Sequence, residues 1–223
     1  RHNFTLQWDN AVCFEERVTE YKVADDAINR ARSLLSSKSK DFERKKQFYN
    51  VSNTEAIRID LENGWDEIQE KGYTKDLNLS LAHSYRAIFY SWRADSRIEL
   101  YDIGVCLEKI ETELSITNES SCYIPPYDGY TEYKAVKADY LFNIFSFNDV
   151  NYLRDVNLPL TNLDQIKFKI NNILEKRRDL RQTSSQCEEA YKLISASLNH
   201  QKPYCERRDV SIFLIKSYWI LIA

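Results

Sequence analysis

The sequence predicts an all-α protein, an elongated bundle of about six to eight helices built around two long amphipathic ones. Three observations predict it. Four glycines and four prolines in 223 residues leave too few turn formers for a sandwich or barrel. A hydrophobic fraction of 43% and an aromatic fraction of 13% are too high for a disordered chain. Apolar residues recur at the three-four spacing of a helix face over nearly the whole length, and no alternating strand pattern competes.

The elements follow in order. Phe14, Val18, Tyr21, Ala24, Ile28, Ala31 and Leu35 mark a first helix, expected to stop near Ser36, Ser37 and Ser39. Residues 41–49 read as a short second one. A third starts after an Asn53-Thr54 cap, carries Ile57, Leu61 and Ile68, and ends at Gly72. The first long run, Leu77 to Ile116, shows Leu81, Tyr85, Ile88, Trp92, Ile103, Leu107, Ile110 and Leu114. Tyr133, Val136, Tyr140, Ile144 and Phe147 mark a further helix. After an Asn-rich loop over 148–162, the second long run, Leu163 to Leu198, places Ile166, Ile170, Ile173, Leu180, Cys187, Tyr191 and Ile194 on one stripe, broken by Arg177 and Ser184. The two long stripes are expected to pack on each other. No linker divides residues 1–223, so a single helical domain is expected. The apolar stretch over 211–223 is shorter than the roughly 20 residues that span a bilayer and reads as a buried last helix.

Compartment is read from three features. The chain starts at Arg1 and has no methionine, as a processed secretory chain with its signal peptide removed would. Four sequons offer glycosylation at Asn3, Asn50, Asn78 and Asn118. Of the five cysteines, Cys106 with Cys122 and Cys187 with Cys205 are spaced as two disulfide hairpin staples, leaving Cys13 over. A secreted, extracellular protein is expected.

Catalytic and cofactor chemistry find no motif. His2, His83 and His200 stand far apart, no two cysteines have metal or redox spacing, and no glycine-rich loop or nucleophile elbow is present, so no metal, no cofactor and no enzyme activity are expected. With 31 basic and 34 acidic residues, the net charge of -3 gives no drive toward nucleic acid. Two basic clusters, Lys38, Lys40, Arg44, Lys45 and Lys46, then Lys176, Arg177, Arg178 and Arg181, are candidates for a sulfated glycan or other polyanion. Their interleaved acids fit an ordinary salt-laced helix face at least as well.

The segment Cys122 to Tyr133 concentrates Tyr123, Tyr127, Tyr130 and Tyr133 behind Pro125-Pro126. Tyrosines on a stiffened loop suit a protein-binding surface, and this loop is the candidate binding site, expected to project from the helices. Rings folded back as core would explain it equally.

A processed start at Arg1, long helices, few cysteines with the Cys106/Cys122 and Cys187/Cys205 spacings, and tyrosine-rich chemistry without an active-site motif give the chain an overall character. In that character it resembles the secreted all-helical salivary proteins of mosquitoes, the thirty-four-kilodalton group, though it lacks the acidic low-complexity segment of such proteins. The resemblance implies an injected, blood-feeding protein that binds a host factor or a mouthpart protein. Two functions are therefore expected in order: a secreted non-enzymatic binding protein acting by protein–protein contact, then a carrier of a small hydrophobic ligand held between helices.

Overall fold

A short polar side chain caps the start of three helices, and the chain is organised from those points. The structure, a computed structural model, describes residues 2–69, 74–119, 127–148 and 162–222, with side-chain surroundings described for 22–69, 74–115, 127–144, 162–205, 207 and 211. Five α-helices are present: α1 His2–Lys45, α2 Val51–Gln69, α3 Leu77–Glu119, α4 Tyr130–Asn148 and α5 Leu163–Ile222, with one 3-10 turn at Lys46–Phe48. Asn50 Oδ1 accepts the Asn53 amide at 2.8 Å, Asp76 Oδ1 the Asn78 amide at 3.0 Å, and Asn162 Oδ1 the Gln165 amide at 3.0 Å. Each satisfies an amide that the first helical turn leaves without a partner.

The fold is all-α, with no strand among the described residues, but the helix count is lower than expected because two boundaries vanish. Ser36, Ser37 and Ser39 do not stop α1. Leu35 and Phe42, both buried, hold the same face on either side of them, and packing outweighs the modest helix cost of serine. The expected second helix is thus the end of α1 and the turn beyond it. Likewise the C-terminal apolar stretch is no separate helix, since α5 runs on past Pro203. The cap of α2 is Asn50, three residues before the expected Asn53-Thr54, and the expected stop at Gly72 lies outside the described residues.

The chain divides into two compact units: Arg1–Ile98 with Asn148–Arg178, and Glu99–Phe147 with Asp179–Ala223. In the first unit, α1 and α2 form an antiparallel hairpin closed by Leu35, Ile57, Leu61 and Ile68. Gly64 lets Leu35 approach so closely that a Cβ there would lie 2.6 Å from its Cδ2. The α3 segment of this unit is buried nearly all round and is rich in small residues, Ala82, Ser84, Ala87, Ser91 and Ala94. Its buried serines return their hydroxyls to the helix, Ser84 to the Ser80 carbonyl at 2.8 Å and Ser91 to that of Ala87 at 2.7 Å, so neighbours close in without stranding a donor.

In the second unit, α3 and α5 run parallel. Arg181 Nε donates to Glu99 Oε1 at 2.8 Å, and a disulfide joins Cys106 to Cys187. The partners lie 82 and 81 residues apart in the chain, a constant offset that only parallel helices produce. Ile103, Leu107, Ile110, Leu180, Ala190, Ile194 and Leu198 fill the core, and α4 returns antiparallel to α3 with Tyr133 and Val136 inward. The expected hairpin staples are overturned: Cys106 and Cys187, assigned to different bridges, are bonded to each other. The bridge cross-links two helices side by side where hairpin ends were expected. Cys205 is also disulfide-bonded, whereas Cys13 and Cys122 lie outside the described side chains.

Gly129 opens α4 with φ +84°, the left-handed region that glycine tolerates, and is buried against α5. A Cβ at this position would meet Leu193 Cβ at 2.8 Å and the Ala190 carbonyl oxygen at 2.9 Å. Gly129→Ala is therefore expected to destabilise the second unit by about 1–3 kcal/mol through strain and overpacking together, read as a lowered denaturant midpoint.

Candidate functional site

The described part of the tyrosine segment, residues 127–133, is a turn that leads into the first turn of α4. Tyr130 and Tyr133 belong to the first turn of α4, Tyr127 and Tyr130 are half-buried, and Tyr133 is 7% exposed; Tyr123 lies outside the described residues. The Tyr127 carbonyl accepts the Tyr130 amide at 3.1 Å, turning the chain into the helix. The Tyr133 hydroxyl donates to Glu111 Oε1 at 3.1 Å, and Lys137 Nζ reaches the same oxygen at 2.7 Å. The hydrogen bond from Lys137 holds the Glu111 carboxyl below its ordinary range, and burial pushes the Tyr133 phenol up. Lys134 sits 4.6 Å from the Tyr130 ring centre, a cation–π contact on the more accessible ring.

The opposite side of α4 is the informative one. Tyr133, Val136 and Asn143 occupy the buried face, which a single helix can devote to only about a third of its circumference. Ala135, Ala138, Leu141 and Phe142 fall together on the outer face at three-four spacing, and all are exposed, Leu141 by 48% and Phe142 by 70%. Tyr130 borders that face at the start of the helix. Sequence reading missed Leu141 and Phe142, although the signal was present: apolar residues in this helix occur all round it, more than one buried stripe can absorb.

The basic clusters are largely neutralised. Lys38 Nζ lies 2.7 Å from Asp95 Oδ1, and Arg177 donates to the other oxygen of that carboxylate. Arg44 and Lys45 pair with Asp41, Lys46 with Glu43, and Arg181 with Glu99. Lys176 is half-buried, and Lys40 and Arg178 are exposed. Ser37, Ser39, Lys40, Glu43 and Arg44 line an open groove of about 620 Å³.

The first unit also holds a buried charge network that no motif announced. Asp60, 1% exposed, receives Arg93 Nε at 2.8 Å on Oδ1 and Arg97 Nε at 2.8 Å on Oδ2. The Arg93 guanidinium also lies 5.0 Å from the Tyr90 ring centre and 5.5 Å from that of Phe89. Glu67 meets His83 Nδ1 at 2.6 Å and Arg86 at 3.0 Å. Around Asp95, Lys38 and Arg177 flank the Trp92 ring at 5.5 and 4.8 Å. Asp60, Glu67 and Asp95 are all buried and each is paired with cationic or histidine side chains from another helix. Among the described residues, no group of three or more His, Cys, Asp or Glu could hold a metal ion, and no helix is long and apolar enough to cross a membrane.

No family model, no curated protein and no solved structure matches the chain. Function has to be read from its own residues.

Proposed function

We propose that this chain is a secreted, non-enzymatic binding protein that engages another protein through the outer face of α4. The observation that carries the reading is the exposed apolar stripe Ala135, Ala138, Leu141 and Phe142, set beside the half-buried Tyr130. A contiguous apolar surface rimmed by polar residues is characteristic of a protein contact site, and here Lys134 and Asp139 supply the polar edge. The disulfide between Cys106 and Cys187 and the four sequons support an extracellular setting. On the resemblance to mosquito salivary proteins, the partner proposed is a host or mouthpart protein.

The test has two stages. Immobilised, glycosylated chain is exposed to candidate fluids, and cross-linking through Lys134 and Lys137 reports whether a captured protein lies over α4. Leu141→Glu is then expected to weaken that partner's binding by about 30-fold, the loss typical of a central contact, with helicity unchanged because the residue is exposed. Undiminished affinity in the folded variant would move the site to the groove at Ser37 to Arg44, where binding would fall with added salt.

A further inference from the structure

We propose that Asn50 is an occupied N-glycosylation site whose first sugars lie on the exposed ring of Phe48. The inference rests on the secretory reading above and adds to it which sequon is built for a glycan and what that glycan covers.

Phe48 ends the 3-10 turn at 60% exposure, Asn50 caps α2, and Val51 beside it is 87% exposed. Two large apolar side chains thus stand in water at the tip of the first hairpin, next to the acceptor of the sequon Asn50-Val51-Ser52. Between Phe48 and Asn50, Tyr49 is extended, with φ -104° and ψ 151°. A single extended residue thus separates Phe48 from Asn50, about 7 Å at most along the backbone, which puts the ring within reach of the first sugars on Asn50. The cap leaves the asparagine chemistry intact. Asn50 Oδ1 must be the acceptor, because its partner at 2.8 Å is the Asn53 backbone amide, and Nδ2 makes no hydrogen bond among the described residues.

Glycosylation would use that nitrogen. Nδ2 attacks the anomeric carbon of a lipid-diphosphate-linked oligosaccharide, an N–C bond forms, the C–O bond to the diphosphate breaks, and the amide loses one proton to the transferase. The cap at Oδ1 survives the reaction. The apolar C–H face of the first sugar then meets the electron-rich face of Phe48, replacing water on a ring that the fold leaves uncovered. Asn78 offers nothing comparable: it lies exposed in the first turn of α3, and the hydroxyl of its sequon partner Ser80 is buried and bonded to Thr74.

The full chain, secreted from eukaryotic cells behind a supplied leader, is tested by glycopeptide mass spectrometry and by thermal unfolding of wild type, Ser52→Ala, Phe48→Ala and the double variant. Ser52→Ala removes the sequon and keeps the Asn50 cap, and in unglycosylated bacterial protein it controls for loss of the hydroxyl itself. The expected results are high occupancy at Asn50 and a fall in Tm of about 2–4 °C for Ser52→Ala that shrinks to about 1 °C or less when Phe48 is alanine. An empty Asn50 in folded, disulfide-bonded protein recovered from the medium overturns the inference alone. A loss on Ser52→Ala that is independent of Phe48, or equal in bacterial protein, overturns the sugar–ring contact. Failure of the chain to fold in the secretory pathway, with every sequon empty, overturns the secretory reading and this inference with it.

Discussion

Asp60→Ala is expected to lower the unfolding free energy of the first unit by about 3–5 kcal/mol, the cost of breaking a buried ion pair by removing one partner. The carboxylate is 1% exposed and is held between Arg93, itself 2% exposed, and Arg97. Removing it takes away the carboxylate to which both Arg93 Nε and Arg97 Nε donate, while the Phe89 and Tyr90 ring faces beside Arg93 offer only part of the lost attraction. The loss is not the intrinsic worth of the ion pair. Replacing Asp60 and both arginines together by apolar residues of similar volume should recover most of it, because removing one partner alone, not the missing bond, carries the penalty. Arg58→Ala on the same helix is the control. Arg58 bridges Glu55 and Glu62 on the exposed face, where water already solvates all three, and its loss should cost at most about 0.5 kcal/mol. Urea unfolding of the variants decides the matter, and a change under 1 kcal/mol for Asp60→Ala would show that the network is hydrated and only ornamental to stability.

That network marks where reading the sequence stopped. The stripes through Ala24, Ile28, Ala31 and Leu35, and through Ile166, Ile170, Ile173, Leu180 and Ile194, are buried as the three-four spacing demands, because apolar side chains on a helix have one place to go. Charged residues at stripe positions were legible only as interruptions. Arg177 breaks the α5 stripe and Asp60 and Glu67 share the buried face of α2; each needed its partner 16 to 82 positions away, on another helix, before its burial made sense. Helix ends were the other weak point. Ser36, Ser37 and Ser39 resemble a stop signal locally, yet the tertiary contacts of Leu35 and Phe42 carry the helix through them. The candidate binding face was half legible: the tyrosines at the head of α4 stood out by composition, while Leu141 and Phe142 were not singled out, because only the packing decides which of several apolar stripes turns inward.

Loss of the Cys106–Cys187 bridge is expected to have an effect of similar size, about 4.5 kcal/mol if it acts through the entropy of the unfolded chain, because the two residues are 81 apart. Its connectivity makes a sharper prediction than its magnitude. Removing either sulfur breaks the same bond, so Cys106→Ala, Cys187→Ala and the double variant should all lose about the same stability. Two separate hairpin bridges would instead give single losses that add, each near 3 kcal/mol for the shorter loops of 16 or 18 residues. Cys187 is fully buried, so its alanine variant also loses some packing and is expected to fall slightly below the Cys106 variant. Guanidinium unfolding under non-oxidising conditions, with the remaining thiol alkylated to prevent exchange, separates the two cases. Additivity of the single losses would mean that these cysteines hold different partners, and that the parallel α3 and α5 segments of the second unit are held side by side by Ile103, Leu107, Leu180 and Ile194 without covalent help.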